Sequence, residues 1–408
     1  MSDYELVIKE TLIETLKRSN NPLIIYPAAK AGQMLFHSCC KDGLKIEAFC
    51  DDGAMRNKYV CDTPVYCLED ILLRYPNAEF IIAFEPHETL VKKIESHGSN
   101  KWYLGLVLFD RKDLDFRKNT KDFIVNLTLY GLEMNREIQL NHYRNFSSNY
   151  IYQLSAGINN TILCNLRCKN CQQLQSYVKN PRHYDFEKQK EVFEQYMGLV
   201  DEIYQFELCG GECFTDPSWP KYVEMILPYL GNKIKLFTMT SNGKITPKEE
   251  DLHWLSHARI YVKISDYPHI REKQKKSMSI YKENQIWHSP VINSWFEVKI
   301  PQKNNRTAEE NQRIFDVCEC KKDPVIHSDV GLQKCNIWRI LKEVGFDFPD
   351  VDGDRLDFQK MIRDGIPRDQ IKKAINDYLN CDEAMSLCDY CYGHSYDTEF
   401  KRVLPGEQ

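Results

Sequence analysis

The segment Cys164-Asn-Leu-Arg-Cys168-Lys-Asn-Cys171 sets three thiols in one short loop, with no fourth cysteine or histidine beside them. A structural zinc site takes four ligands and closes. A 4Fe-4S cluster held by three cysteines keeps one iron open to a small-molecule ligand, and cysteine loops this dense are the usual seats of such clusters. The chemistry implied is one-electron chemistry at an open iron.

Such a loop needs rigid elements to hold it. Residues 157–163 read as a strand running into it, and three further strand-like runs follow. Residues 202–208 end in Cys209-Gly210-Gly211-Glu212, residues 235–239 run into Thr240-Ser241-Asn242-Gly243, and residues 258–264 run into Ser265-Asp266. Helix-like segments at 186–197, 219–229 and 248–256 lie between them. Alternating strands and helices with polar groups at the strand ends predict a parallel α/β sheet whose ligand sits at the carboxyl edge. Paired glycines let a backbone approach a ligand closely, and a carboxylate can pair with an ammonium group. Each piece alone is ordinary: a glycine loop, an Asn-Gly turn, a solvated strand end. Their order downstream of the three-cysteine loop carries the inference.

In this combination the chain resembles the radical SAM enzymes, whose Cys-x3-Cys-x2-Cys loop follows the first strand of a partial (β/α)6 TIM-like barrel. The resemblance implies that Cys164, Cys168 and Cys171 bind a 4Fe-4S cluster. Its free iron would chelate S-adenosylmethionine and pass it one electron, giving methionine and a 5′-deoxyadenosyl radical that abstracts a substrate hydrogen. It further implies that Gly210, Gly211 and Glu212 hold the methionine moiety and that Ser241, Asn242, Ser265 and Asp266 line the adenosyl end. An external one-electron reductant such as flavodoxin or ferredoxin is the implied partner. The family's usual aromatic residue before the third cysteine is replaced by Asn170.

A second group, Cys318, Cys320, Cys335, Cys381, Cys388 and Cys391, fills the C-terminal region. Gly331-Leu-Gln-Lys-Cys335 reads as a hairpin turn with a cysteine-bearing strand, and Cys388-Asp-Tyr-Cys391 is a tight pair. Separated cysteines followed by a distant Cys-x2-Cys are similar to the twitch or truncated SPASM extension of radical SAM enzymes, which implies an auxiliary 4Fe-4S cluster on Cys335, Cys388, Cys391 and either Cys318 or Cys320. A structural zinc site would satisfy the same thiolates. An all-cysteine cluster is a one-electron acceptor, which would make the net reaction a dehydrogenation. Quenching of a substrate radical by a thiol would instead give epimerisation, and Cys213, beside the Gly-Gly-Glu element, is the candidate donor; the plain alternative is a packed core thiol.

The 408 residues suffice for two or three domains. A net charge of -5 and a pI near 6.2 leave no basic footprint for nucleic acid. A mean hydropathy of -0.52 without a long apolar run gives no membrane span, and the start lacks the basic and apolar regions of a signal peptide. Sixteen cysteines without an export signal point to the cytoplasm, with thiols kept for metal.

The N-terminal region reads as strands at 22–26, 45–50 and 79–84, with helices through Cys40, at 68–75 and at 88–96. This βαβαβ rhythm, with Asp51-Asp52 after the second strand, predicts a Rossmann-like half. It resembles the small nucleotide-binding-type domain attached to bacterial sugar-modifying enzymes, where an acidic strand end and a segment like Thr63-Pro64-Val65 recur. Only Gly32 matches the dinucleotide fingerprint, with Ala28 and Ala29 in the turn, so a structural, docking or carrier-binding role is expected rather than NAD binding. Asp51 and Asp52 read as solvated strand-end acids. After the fourth strand of the barrel come a Lys-rich helix at 268–285, a candidate strand at 291–300 around Trp295, whose ring could stack on a sugar, and a helix at 307–318.

The expected organisation is a Rossmann-like domain (1–110), a connector (111–152), a partial barrel (153–300) and an auxiliary-cluster cap (301–408). The expected activity is a radical SAM oxidoreductase or epimerase acting on a hydroxylated sugar or nucleotide-linked sugar. The alternatives are a peptide or carrier-bound substrate maturase and a non-catalytic, metal-stabilised interaction protein.

Overall fold

A computed structural model describes residues 3–53, 55, 57–84, 88–96, 101–109, 123–143, 150–291, 295–298, 302–391 and 402–407. The chain divides into two compact units, Met1–Asn145 and Phe146–Gln408.

In the first unit, β1 (Leu23–Tyr26), β2 (Ile46–Cys50), β3 (Tyr59–Val60), β4 (Thr63–Tyr66), β5 (Glu79–Ile82) and β6 (Trp102–Leu104) form one sheet in the order β3-β4-β2-β1-β5-β6. All neighbours are parallel except the β3–β4 hairpin. Both faces are covered, so the strands are apolar throughout: Ile25, Phe49 and Ile81 pack on one side, Ile24, Ala48, Phe80 and Ile82 on the other. Thr63-Pro64-Val65 lies in β4, and an opening helix, Asp3–Arg18, adds Leu12 and Leu16 to the core. The helix Phe123–Tyr143, expected in a connector, sends Leu132 and Leu140 into that core, and Gln139 bonds the backbone of Leu106 and Phe84. Residues 111–122 and 144–149 of the expected connector lie outside the described residues.

Asp51 departs from the solvated expectation, whereas Asp52 is exposed as expected. Asp51, 9% exposed, accepts from the amides of Ala28 (3.1 Å) and Gly53 (2.8 Å). Asp52 accepts from the Leu68 amide (2.9 Å) and pairs with Lys93 (2.7 Å). Both acids tie down loop backbone at the sheet edge. Gly32 is needed for close packing, since a Cβ there would lie 1.8 Å from the Pro27 carbonyl oxygen.

The second unit contains β7 (Tyr152–Thr161), β8 (Glu202–Gly210), β9 (Ile234–Ser241), β10 (Ile260–Ser265), β11 (His288–Val291), β12 (Trp295–Phe296), β13 (Val325–His327), β14 (Gly331–Gln333) and β15 (Arg402–Val403). Seven of them form a sheet in the order β11-β10-β9-β8-β7-β13-β14, parallel throughout except for β14 against β13. The fold is α/β, as expected. The strand expected at 291–300 is divided: β11 joins the sheet, β12 pairs antiparallel with β15, and residues 292–294 and 299–301 lie outside the described residues.

Strand alternation gives this sheet two unlike faces. Ala156, Ile158, Phe206, Leu208, Phe237, Met239, Val262 and Ile264 point into one apolar core beneath the helices Phe186–Leu199, Trp219–Ile226 and Arg271–Glu283. The intervening residues, including Asn159, Glu207, Cys209, Thr238, Thr240 and Lys263, occupy the other face. Asp185 caps the first of these helices, accepting from the amides of Glu187 and Lys188. The segment expected as a helix at 248–256 forms instead a 3-10 turn, Glu249–Leu255.

Candidate active site

The chain leaves β7 at Thr161 and enters the cysteine loop across the Gly-Gly-Glu element. The Gly211 amide donates to the Thr161 carbonyl (3.0 Å) and the Glu212 amide to that of Leu163 (2.9 Å). A Cβ on Gly210 would sit 2.3 Å from the Thr161 oxygen, and one on Gly211 2.3 Å from the Leu163 oxygen and 3.0 Å from the Cys164 nitrogen. No real Cβ tolerates such contacts, so these glycines admit the chain's own loop entry. The close approach expected for a ligand is taken by the backbone itself.

Glu212 also has a different task from pairing with an ammonium group. It is 1% exposed, and one carboxylate oxygen accepts from the Ser241 hydroxyl (2.8 Å) and the Phe214 amide (3.2 Å), the other from the Asn242 amide (2.7 Å). Burial pushes its carboxyl group above the ordinary range, and these donors oppose the shift. The carboxylate thus staples the end of β9 to the end of β8. Asn242 in turn donates to Asn165 inside the cysteine loop (2.8 Å), with the Cys164 sulfur at 3.9 Å, and Lys244 donates to the Asn165 carbonyl (3.1 Å).

Gln274 makes the equivalent link one strand further. Its amide donates to the carbonyls of Asn242 (2.9 Å) and Ser265 (2.6 Å), joining β9 to β10. The Ser265 hydroxyl bonds to Tyr267, and Asp266 is engaged by Arg271 at 2.9 Å.

Cys164, Cys168 and Cys171 pack with Leu166, Tyr267, Ile270 and Trp295 in one apolar pocket. Burial pushes the Cys164 thiol up to about 12, and the Leu166 amide acts against the shift. Burial raises Cys171 as well, opposed by the amides of Gln175, Gln173 and Leu174. Thiols kept from water but supplied with amide donors suit a metal centre, whose positive charge makes thiolates stable and whose potential responds to such hydrogen bonds. Asn170 accepts from the Val298 amide (3.1 Å), and Trp295 meets Tyr267 edge-on at 5.5 Å, so its ring packs beside the loop.

The second cysteine group also assembles. Cys318 follows the helix Ala308–Val317, Cys320 lies in the turn Glu319–Lys322, Cys335 follows β14, and Cys388 and Cys391 flank the end of the turn Ser386–Tyr390. Cys320 is hydrogen-bonded to both Cys318 and Cys335, which raises its pKa well above the ordinary thiol value, with burial adding to the shift. Burial pushes Cys388 up to about 12, with Cys391, Cys335 and Cys318 adding to the rise. Asp389 fixes this corner by accepting from the Arg306 amide (2.8 Å), while the Arg306 guanidinium donates to the carbonyls of Cys388 (3.0 Å) and Cys391 (2.7 Å). Cys381 is exposed. Among the described residues no three His, Cys, Asp or Glu side chains close on a point as a single metal ion requires.

The two cysteine groups are joined by a buried strut. The Gln173 side-chain oxygen, two residues past Cys171, accepts from Asn336 (3.0 Å) and Arg339 (2.7 Å), one and four residues past Cys335. Arg339, 2% exposed, also donates to the Tyr184 hydroxyl (2.7 Å), which donates to Glu343 (3.1 Å).

The solved structures similar to this chain include the following three. Native anSMEcpe with bound AdoMet and Cp18Cys peptide is 12% identical over 60% of this chain and 92% of that one, with a TM-score of 0.34. BtrN in complex with AdoMet and 2-DOIA is 15% identical over 60% and 96%, with a TM-score of 0.36. Streptococcus suis SuiB bound to S-adenosylmethionine is 14% identical over 71% and 61%, with a TM-score of 0.29. Each of the three was solved with AdoMet or S-adenosylmethionine bound. Against a histidine-tagged anSMEcpe with bound AdoMet, the chain spans 59% of that chain's length. No protein-family profile matches the chain, and no curated protein does.

Of the residues expected at the site, the structure brings together Cys164, Cys168 and Cys171 in one pocket and Gly210, Gly211, Glu212, Ser241, Asn242 and Ser265 at one sheet edge. Cys213 does not join them. It is wholly buried in the apolar core, its thiol donating to the Thr240 carbonyl at 3.3 Å, because the turn after Glu212 directs it toward the helices. Gln274, Asn165, Gln173 and Arg339 were missed. For Gln274 a signal exists in its spacing with Ser277 and Tyr281, which gives the Lys-rich helix a buried stripe.

Proposed function

We propose that this chain is a radical SAM oxidoreductase. The observation that carries the reading is the three-cysteine pocket at the carboxyl edge of β7, braced by Glu212 at the end of β8 and Asn242 at the end of β9. Cys164, Cys168 and Cys171 would hold a 4Fe-4S cluster with one iron left for the amino and carboxylate groups of S-adenosylmethionine. Such a cluster would supply one-electron reduction of the bound sulfonium and, with it, hydrogen-abstraction chemistry. Glu212 and Gln274 fix the strand ends, Gly210 and Gly211 admit the loop, and Ser241, Asn242, Ser265 and Asp266 border the adenosyl end.

Four of Cys318, Cys320, Cys335, Cys388 and Cys391 would hold the auxiliary 4Fe-4S cluster, a one-electron acceptor that favours dehydrogenation over inversion. With Cys213 in the core, the epimerase variant loses the donor first assigned to it. The favoured substrate is a hydroxylated sugar or nucleotide-linked sugar, supported by the likeness of the N-terminal region to domains of sugar-modifying enzymes. A flavodoxin- or ferredoxin-type protein in the cytoplasm would supply electrons. No described helix is long and apolar enough to cross a membrane.

The test is anaerobic reconstitution with iron and sulfide, reduction, and measurement of 5′-deoxyadenosine released from S-adenosylmethionine. Brown protein and release are expected, and replacement of Cys164, Cys168 and Cys171 by Ala should abolish the release. Colourless protein without turnover would establish the metal-stabilised interaction protein instead. Deuterium transfer from labelled peptides but not from labelled sugars would establish the maturase reading.

A further inference from the structure

The polar face of the second sheet carries a layer that the site above does not use. In register across the strands, Asn159 of β7 stands beside Cys209 of β8. Continuing the Leu208–Met239 pairing by one residue sets Cys209 beside Thr240 of β9, which pairs with Lys263 of β10. The next layer toward the carboxyl edge, two residues on and about 6–7 Å away, holds Asn242 and Ser265 at the adenosyl end.

The layer is chemically organised. The Asn159 amide donates to the Cys209 sulfur at 3.1 Å. Glu207, one layer below, accepts from the Thr240 hydroxyl and from the Lys263 ammonium at 3.0 Å. Its side chain and that of Lys263 are 23% and 17% exposed, so the ion pair keeps contact with open space. Two buried atoms beside it lack hydrogen-bond partners among the described residues: the Asn159 side-chain oxygen and the Thr238 hydroxyl, each on a residue 0% exposed. Buried polar groups are normally paired, and an unpaired one calls for an explanation.

We propose that Asn159, Glu207, Thr240 and Lys263, around the Cys209 thiol, form the substrate-recognition layer, and that its ligand is a neutral ring bearing several hydroxyl groups. This rests on the radical SAM reading for its place beside the adenosyl end and goes beyond it in naming the residues that choose the substrate. A hydroxyl can donate to Glu207 or to the Asn159 oxygen and accept from Lys263 or Thr238, so one ring with adjacent hydroxyls satisfies the whole layer. A bare anion would face Glu207 and a bare cation Lys263, each at the expense of the existing pair.

Cys209 reports occupancy. In the reconstituted 408-residue chain with S-adenosylmethionine, its modification by N-ethylmaleimide is followed by peptide mass spectrometry, with the exposed Cys40 and Cys381 as internal references. The probes are myo-inositol, D-glucose and N-acetyl-D-glucosamine, set against inorganic phosphate and an acetylated tetrapeptide. At least one hydroxylated ring should slow Cys209 about threefold, the factor expected near twice its dissociation constant, while Cys40 and Cys381 are unaffected. Thr240→Val and Lys263→Met should each remove that protection while retaining wild-type iron content and a single cooperative thermal transition; if one fails to fold, the other decides. Protection by the peptide or phosphate alone, by no probe, or equally at all three cysteines would overturn the proposal. Release of 5′-deoxyadenosine by the unsubstituted protein is scored separately: release without ring protection sinks the layer alone, and absence of release sinks the reading beneath it.

Discussion

Glu212→Gln separates a carboxylate that builds the site from one that binds a ligand. The substitution keeps size and shape but replaces one acceptor oxygen with an amine. If the amine takes the place of the oxygen facing Asn242, it meets a backbone N–H at 2.7 Å, donor against donor. If it takes the other place, it meets the Phe214 amide at 3.2 Å, and the Ser241 hydroxyl must turn round to accept. Either way one buried amide is left without an acceptor, at about 1–3 kcal/mol, and the surviving bonds lose their charge assistance. Because burial already disfavours the charged form, neutralisation returns part of this, leaving a net loss of about 1–3 kcal/mol. For a unit of this size that corresponds to about 2–12 °C in melting temperature. The assay is a thermal melt of reconstituted protein alongside its iron content and its affinity for S-adenosylmethionine. A lower melting temperature with reduced iron is expected, because the Asn242 end that braces the loop is released. Unchanged melting and iron with weakened S-adenosylmethionine binding alone would refute the reasoning and return Glu212 to direct contact with the ligand.

Gly211→Ala should lower iron incorporation and cost about 1–3 kcal/mol, because its Cβ would press on the Leu163 carbonyl and the Cys164 amide; iron per chain and a urea melt check it. Arg339→Met should destabilise by about 2–4 kcal/mol, since Gln173, Tyr184 and Asn336 each lose a buried donor, and the same melts test it. Cys388→Ser with Cys391→Ser should lower iron by about one cluster while sparing cleavage of S-adenosylmethionine, because these thiols belong to the second group; full iron content would count against an auxiliary site. His327 is held near 3 by burial and by the charges of Arg339 and Arg182. As pH falls below 6.5 the unfolded chain takes a proton that the folded one refuses. Stability should therefore fall with pH between about 6.5 and 3, by up to about 1.4 kcal/mol per unit, and His327→Gln should flatten that slope in urea melts.

The legible parts of this chain are those written by local periodicity. The run 202–208 is extended by two residues to Glu202–Gly210, and the helix at 88–96 has the same bounds in the structure. The polar turn before 307–318 becomes a capping box in which Thr307 and Glu310 exchange hydrogen bonds. What was not legible depends on partners far along the chain. The fate of Glu212 is decided by Ser241 and Asn242, 29 and 30 residues away. Asp51 looked like a solvated acid because nothing in its neighbourhood announces that the Ala28 amide lies against it. Cys213 sits beside a catalytic-looking motif, yet one turn of 3-10 geometry, Cys213–Thr215, sends its thiol to the opposite face. Composition had concealed Gln274 as well, since a helix dominated by lysines and other polar residues reads as solvated until its buried stripe is seen.

The division between the two faces of the second sheet connects these observations. Apolar residues at alternate positions commit one face to the helices, so every intervening side chain must meet something else. At the carboxyl edge that requirement is met internally: Glu212 and Gln274 saturate the strand ends and leave the cysteine pocket as the chemically open feature. One layer below, the Asn159 oxygen, and one layer further, the Thr238 hydroxyl, are not met by any described residue. Desolvated unpaired polar atoms weaken a fold that apolar isosteres would strengthen. Their place beside a partly exposed ion pair, beneath the braced edge, is what a site whose last hydrogen bonds are supplied by a ligand would present.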